Sequence, residues 1–142
     1  MEKFVQSIEA MNRMYKLPVH NTPTIPTDAD IKLNNFMDVM MEEVCEGDEI
    51  IDKLGAPPIE TLTSIADWLG DMVVYCFSEA AKYGIPLESV LEIIMRSNMS
   101  KLGEDGKPIY DERGKVLKGP NFFRPEPEIR ELLVHLLNAP PV

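Results

Sequence analysis

The segment 65–77 reads Ile-Ala-Asp-Trp-Leu-Gly-Asp-Met-Val-Val-Tyr-Cys-Phe, and it constrains the fold more than any other part of the sequence. It lies within a longer stretch, 58–82, whose spacing predicts a helix that starts at a proline and is followed by Gly84 as a C-cap. Apart from Asp67 and Asp71, the segment is apolar on nearly every side. A helix of this kind needs neighbours all round, so we expect it to be central.

The rest of the sequence predicts further helices and almost no strand. Thr27, Asp28 and Asp30 offer N-cap side chains for a long second helix. The predicted helices cover residues 2–16, about 28–54, 58–82, 86–101 and 125–138. Glycines punctuate the segment 102–124, which predicts a hairpin or an ordered loop. The expected fold is all-α: one domain over 1–142, a bundle of four to five helices completed by oligomerisation.

Charge and cysteine usage exclude several classes of function. The 142 residues carry a formal net charge of -10, which argues against binding to nucleic acid or an anionic membrane, since both require a basic surface. Cys45 and Cys76 form no C-x-x-C pair and indicate neither a disulfide framework nor a zinc knuckle. Residues 1–17 lack the apolar core of a signal peptide, and no run approaches membrane-spanning length, so we expect a cytoplasmic protein.

The second predicted helix carries a dense acidic patch. Glu42, Glu43 and Glu46 are followed by two more acids, and no lysine or arginine occurs within 33–52. Helical geometry puts Glu42 and Glu46 opposite the apolar stripe and Glu43 at its border, leaning toward a neighbouring helix. A solvated acidic face is the alternative interpretation, but such faces normally include lysines because like charges at i,i+4 destabilise a helix.

Asp67 and Asp71 are spaced i,i+4 on the apolar helix, and we expect both to be substantially buried. A buried carboxylate must share a proton, find a basic partner or ligate a metal. A solvent-facing edge of the helix is the alternative interpretation.

Together with the glutamates of the second helix, these aspartates predict an all-oxygen metal site, which suits Mg²⁺ or Mn²⁺. Zinc and di-iron sites would use histidines, but His20 and His135 lie outside any E-x-x-H or H-E-x-x-H arrangement. The sequence also contains no P-loop and no dinucleotide-binding glycine motif.

Asn98 and Lys101, near the end of the fourth predicted helix, lie three residues apart on one face, where both side chains can reach a phosphate oxygen. Ordinary helix C-terminal chemistry is the alternative for both. The slightly basic segment that follows, 102–124, could close over an anionic ligand. It could equally form a subunit contact anchored by Phe122 and Phe123.

These motifs together resemble the MazG-like, all-α nucleoside triphosphate pyrophosphohydrolases, a superfamily that includes phosphoribosyl-ATP pyrophosphohydrolase. The resemblance rests on Glu42-Glu43-x-x-Glu46, the acid pair on the next helix, and Asn98-x-x-Lys101. Order and spacing agree over 30–125. The stretches 97–101 and 119–125 are similar to single-domain members of phage and bacterial type.

The resemblance implies a Mg²⁺ site, with Mn²⁺ as a substitute. The implied metal ligands are Glu42, Glu43, Glu46 and Asp71. Glu43 is the implied general base, and Asn98 and Lys101 are the implied phosphate contacts.

One position departs from the family pattern. The second acidic motif of the family is usually E-x-x-D, but Trp68 stands three residues before Asp71. Asp67 lies on nearly the same helix face and is the candidate replacement for the missing carboxylate. Its shorter reach changes the metal site that the resemblance implies.

The expected function is Mg²⁺-dependent hydrolysis of (d)NTP to (d)NMP and pyrophosphate by a homodimer or homotetramer, for nucleotide-pool house-cleaning. One alternative is phosphoribosyl-ATP pyrophosphohydrolase, which keeps the chemistry and changes the substrate. Another is a catalytically weak nucleotide- or metal-binding assembly protein, in which Trp68 marks a lost acid.

Overall fold

The computed structural model describes residues 1–140, which form five helices and no strand beyond one isolated bridge. The helices are α1 (Glu2–Met14), α2 (Ala29–Asp52), α3 (Pro58–Lys82), α4 (Leu87–Met99) and α5 (Glu126–Asn138). The all-α prediction is confirmed. Helix ends agree with the sequence because prolines and glycines separate the elements.

Two helix ends carry specific sequence signals: Gly84 follows the end of α3 as predicted, and Asp28 at the start of α2 differs from the prediction. Gly84 follows the C-cap residue Tyr83 with a φ of 65°, and a Cβ there would lie 2.1 Å from the carbonyl oxygen of Thr22, so only glycine fits. Asp28 is the N-cap residue of α2, but within the described chain its side chain makes no capping hydrogen bond. It accepts a hydrogen bond from the Lys32 ammonium instead, which competes with capping.

The described chain divides into two compact units, the first spanning Met1–Ile85 and the second starting at Pro86. In the first unit, α3 is the shared element, since α1 and α2 both pack against it. Between α1 and α3, Asn12 is fully buried; its Nδ2 donates to the Ser78 carbonyl oxygen at 3.0 Å and its Oδ1 accepts from Ser78 Oγ at 2.6 Å. One domain over 1–142 stays a prediction.

In the second unit, α4 packs against α5, and the segment between them forms a short hairpin. Tyr110 and Val116 form an antiparallel bridge, which agrees with the prediction of a hairpin or ordered loop over 102–124. Ser97 Oγ donates to the Phe123 carbonyl oxygen at 2.8 Å and fixes the end of this segment to α4.

Two helices of the first unit leave apolar stripes exposed. On α3, which is central to the first unit as predicted, the stripe includes Leu62, Leu69 and Val73. On α2 the exposed apolar residues are Ile31, Leu33, Met37, Met41, Val44 and Ile51. None of the five helices combines the length and apolar character that crossing a membrane requires.

Candidate functional site

Glu43 is the one carboxylate of the α2 acidic patch that the fold buries, with only 6% of the residue exposed. Its Oε1 atom has no hydrogen-bond partner anywhere in residues 1–140. Burial raises the pKa of Glu43 above its ordinary value of 4.5, because the charged form loses solvation. Glu43, which we predicted to lean toward a neighbouring helix, is buried at a point where its carbonyl oxygen accepts a hydrogen bond from Trp68 of α3.

Other acids from both helices surround Glu43. The charges of Glu46, Asp71 and Asp67 raise its pKa further, after burial. Burial also raises the pKa of the Tyr75 phenol, and nearby carboxylates, including Glu42, add to this shift. The structure therefore brings the predicted acids of α2 and α3 into one neighbourhood. We call the following set the acid cluster: Glu42, Glu43, Glu46, Asp67 and Asp71.

Asp67 and Asp71 are exposed, so the expectation of substantial burial is wrong. Their side of α3 stays open to solvent because only α1 and α2 pack on this helix within the first unit. Across residues 1–140, no three Asp, Glu, His or Cys side chains stand close enough to hold a metal ion as they are placed.

Trp68 ties the two acid-bearing helices together at the level of Glu43. Its Nε1–H donates a hydrogen bond to the Glu43 carbonyl oxygen at 2.7 Å. The indole ring packs over Gly47, where a Cβ would lie 2.9 Å from Trp68 Cζ2. A glycine at this position therefore allows the ring to approach the α2 backbone closely.

Two cavities flank the acid cluster. An apolar cavity of about 380 Å³ has Asp71 in its wall, and a smaller polar cavity of about 170 Å³ has Glu46, Asp67 and Trp68 in its wall. The residues lining the apolar cavity are Met11, Tyr15, Leu17, Asn35, Phe36, Val39, Asp71, Val74, Tyr75, Ser78, Glu79 and Lys82. Volume and lining resemble those of small-molecule sites, which are mostly apolar with a few polar groups.

Asn98 and Lys101 belong to the second unit. Asn98 is exposed in the last turn of α4, and Lys101 lies just beyond the helix, with its backbone N–H donating to the Asn98 carbonyl oxygen at 3.2 Å. Two ammonium groups lie over the Phe122 ring, Lys101 at 5.9 Å and Lys118 at 5.0 Å from its centroid. Neither lysine forms an ion pair within residues 1–140.

Sequence reasoning missed the role of Trp68 and Gly47 and the apolar cavity. One signal was present: Gly47 stands inside a long amphipathic helix, where glycine is less favourable than alanine. The partner of that glycine follows from the relative placement of α2 and α3. Helical spacing within one element does not contain that information.

The raised pKa of Glu43 predicts how pH affects stability without divalent ions. Between the ordinary pKa of 4.5 and the higher folded-state pKa, the folded state keeps a proton that the unfolded state has lost. The free energy of unfolding contributed by Glu43 therefore falls as pH rises through this interval and levels off above it. Glutamine does not titrate, so the stability gained by Glu43→Gln should grow across the same interval. Urea unfolding at a series of pH values in EDTA measures this, and a pH-independent difference would contradict the assignment.

No known protein-family profile matches the sequence, and a search of curated proteins finds no similar one. Among solved structures, the chain is similar to a candidate NTP pyrophosphohydrolase from Exiguobacterium sp. 255-15, with a TM-score of 0.54 and 22% sequence identity. The match covers 93% of this chain and 94% of that chain. At this level of identity, the likeness shows a shared fold.

Proposed function

We propose that this chain is a Mg²⁺-dependent nucleoside triphosphate pyrophosphohydrolase, which converts a (d)NTP and water to a (d)NMP and pyrophosphate and so cleans the nucleotide pool. The observation that carries the proposal is the buried, unpartnered Glu43 carboxylate within the acid cluster, beside a cavity of ligand size. The shared fold with a candidate NTP pyrophosphohydrolase supports the same activity.

The chemistry of the acid cluster fits a divalent cation. Carboxylate oxygens are the ligands that Mg²⁺ and Mn²⁺ prefer. The Glu43 Oε1 atom is buried without a hydrogen-bond partner among the described residues and can therefore act as such a ligand. The other four carboxylates are exposed, so their side chains are free to rotate toward a shared ion. The proposed ligands are Glu42, Glu43, Glu46, Asp67 and Asp71.

Hydrolysis joins the water oxygen to the α-phosphorus and breaks the bond from that phosphorus to the oxygen bridging to the β-phosphate. Pyrophosphate leaves with the bridging oxygen, and the carboxylate of Glu43 accepts the proton of the water. A carboxylate with a raised pKa suits this step, because a base is most effective when its pKa approaches the working pH. Bound Mg²⁺ would neutralise phosphate charge and lower the pKa of water in the site.

The apolar cavity is the proposed site of the nucleoside. Phe36 and Tyr75 in its wall offer aromatic surfaces for a base, and Asn35 offers an amide for hydrogen bonding. Asp71 belongs to both this cavity and the acid cluster, so a nucleoside bound here would carry its phosphates toward the carboxylates. In the second unit, Asn98 and Lys101 are the proposed phosphate contacts.

We also propose that the chain forms a homodimer or homotetramer through the exposed apolar stripes of α2 and α3. Large exposed apolar patches on a folded chain usually mark an interface. Light scattering after gel filtration should give two or four times the chain mass. Val73→Lys, which puts a charge into the α3 stripe, should shift the mass toward one chain, whereas Ile25→Lys, exposed outside the stripes, should not. A monomeric wild type would contradict this proposal.

A panel of (d)NTPs and phosphoribosyl-ATP, assayed for pyrophosphate and monophosphate with and without Mg²⁺, tests the activity. Monophosphate and pyrophosphate in equal amounts, dependent on the metal, are the expected products. Orthophosphate release, or no turnover of any nucleotide, would contradict the proposed reaction. Tight nucleotide binding without turnover would favour the assembly-protein alternative.

A further inference from the structure

We propose that Trp68 is a positioning residue: through Glu43 it holds α2 and α3 at the separation that the acid cluster needs to bind a divalent cation. The inference rests on the proposed function, because the cation is the one proposed above. Trp68 is also the position at which α3 departs from the acidic family pattern. In this proposal the tryptophan at that position holds together the helices that carry the other ligands.

The hydrogen bond to Glu43 carries the first step. A helix carbonyl already accepts a bond from the N–H four residues later, and its second lone pair is free. Trp68 Nε1–H uses that lone pair on the Glu43 carbonyl oxygen, at 2.7 Å. The attachment point on α2 is thus the residue whose side chain is buried against α3.

Gly47 supplies the second, independent step. A Cβ at Gly47 would lie 2.9 Å from Cζ2 and 3.3 Å from Cη2 of Trp68, so the indole lies directly on the α2 backbone. Glycine is less favourable than alanine inside a helix, and here it leaves room for this ring. The hydrogen bond and the ring contact together fix both the distance and the rotation of α3 relative to α2.

The charges around Trp68 explain why a contact that holds α2 and α3 together matters. Glu46 on α2 and Asp67 on α3 line the same polar cavity as Trp68, so the repulsion between these carboxylates pushes the helices apart. Trp68 follows Asp67 directly and is one turn before Asp71, and its neutral indole opposes that separation. When the two helices that carry the ligands are already held together, less free energy is lost in bringing those ligands to an ion.

Mn²⁺ binding to the full chain, followed by the electron paramagnetic resonance signal of free Mn²⁺, tests the inference without substrate. Trp68→Phe keeps a ring and removes the N–H, while Gly47→Ala keeps the N–H and displaces the ring. Both should weaken Mn²⁺ binding about tenfold or more, as the loss of groups that orient ligands does. Far-UV circular dichroism and thermal unfolding identify the variants that are folded. If Trp68→Phe does not fold, Gly47→Ala alone tests the inference.

Gly70→Ala is the matched control. Gly70 is also inside a helix, on α3, and a Cβ there meets nothing within 4 Å in the described chain. Alanine should stabilise this helix and leave Mn²⁺ affinity unchanged. Variants at Trp68 and Gly47 that bind Mn²⁺ as the wild type does would overturn the inference.

A third variant separates positioning from a lost ligand. Trp68→Glu adds a carboxylate and removes the indole that contacts α2. If Trp68 positions the helices, this variant should bind Mn²⁺ more weakly than the wild type. If Trp68 only marks a lost metal ligand, the variant should bind Mn²⁺ more strongly. A gain in affinity would therefore overturn the inference.

Catalysis and fluorescence complete the test. In Trp68→Phe and Gly47→Ala, the Mn²⁺ concentration for half-maximal pyrophosphate release should rise about tenfold, with kcat at saturating Mn²⁺ changing much less. Trp68 is the only tryptophan in the chain, so Mg²⁺ should shift the emission of the wild type. Wild-type protein that binds Mn²⁺ and releases pyrophosphate, with unaffected variants, would overturn this inference alone. Wild-type protein that does neither would overturn the proposed function as well.

Discussion

We expect Glu46→Gln and Asp71→Asn each to reduce pyrophosphate release by at least about 100-fold, the scale on which removing one charge-stabilising group affects catalysis. The reason is the loss of a proposed ligand from each side of the acid cluster, since Glu46 lies on α2 and Asp71 on α3. Both carboxylates are exposed, so the helical circular dichroism signal should remain that of the wild type. Steady-state assays with saturating Mg²⁺ and the preferred nucleotide measure the effect.

Asp48→Asn is the matched control for these two variants. Asp48 is exposed on α2, two residues after Glu46, and lies outside the acid cluster. Its substitution removes one negative charge of the same helix and should leave turnover within a few-fold of wild type. Wild-type turnover in either Glu46→Gln or Asp71→Asn would refute the assignment of that residue.

The positions of the helices could be predicted from the sequence because residues at or next to each helix end determine where the helix begins and ends. Proline cannot continue a helix, and Gly84 takes a left-handed conformation that most other residues avoid. The hairpin near Tyr110 was also predictable in outline, since glycines punctuate 102–124. These features depend on single residues and their immediate neighbours.

The faces that the helices use for packing could not be predicted in the same way. Helix α2 has two sides with apolar residues: one, with Phe36 and Val39, lines the apolar cavity, and the other, with Met37 and Met41, stays exposed. Periodicity identifies an apolar stripe but not whether the same chain or another subunit covers it. The same ambiguity led to the wrong expectation that Asp71 is buried.

The proximity of the acids on α2 and α3 could be predicted from the sequence, but the contact between Trp68 and α2 could not. Acids spaced on one helix face predict a shared neighbourhood with the next helix, and the pKa shifts of Glu43 and Tyr75 show that proximity. The bond from Trp68 to a backbone carbonyl leaves no trace in side-chain spacing, because every residue of α2 carries such a carbonyl.

Mg²⁺ should stabilise the folded protein strongly even without nucleotide. Binding relieves the repulsion among the carboxylates of the acid cluster, and a ligand that binds only the folded state at 100 times its Kd adds about 2.7 kcal/mol to the free energy of unfolding. For a chain of this length, that corresponds to a rise in Tm of roughly 5–10 °C. Thermal unfolding in EDTA and at increasing Mg²⁺ measures the shift.

Site-specific binding and general screening of charge make different predictions for this shift. NaCl at matched ionic strength screens exposed charges and should reproduce only a small part of it. Asp71→Asn should lose most of the shift, and Asp48→Asn should keep it, although both remove one negative charge from the same unit. Glu43→Gln should be more stable than wild type in EDTA at neutral pH, because it removes a charged carboxylate that is buried without a partner among the described residues. It should respond little to Mg²⁺, because it no longer has the buried charge that a cation would compensate. Equal Mg²⁺ shifts in wild type and Asp71→Asn would mean that the ion acts on the net charge of -10 and not through the acid cluster.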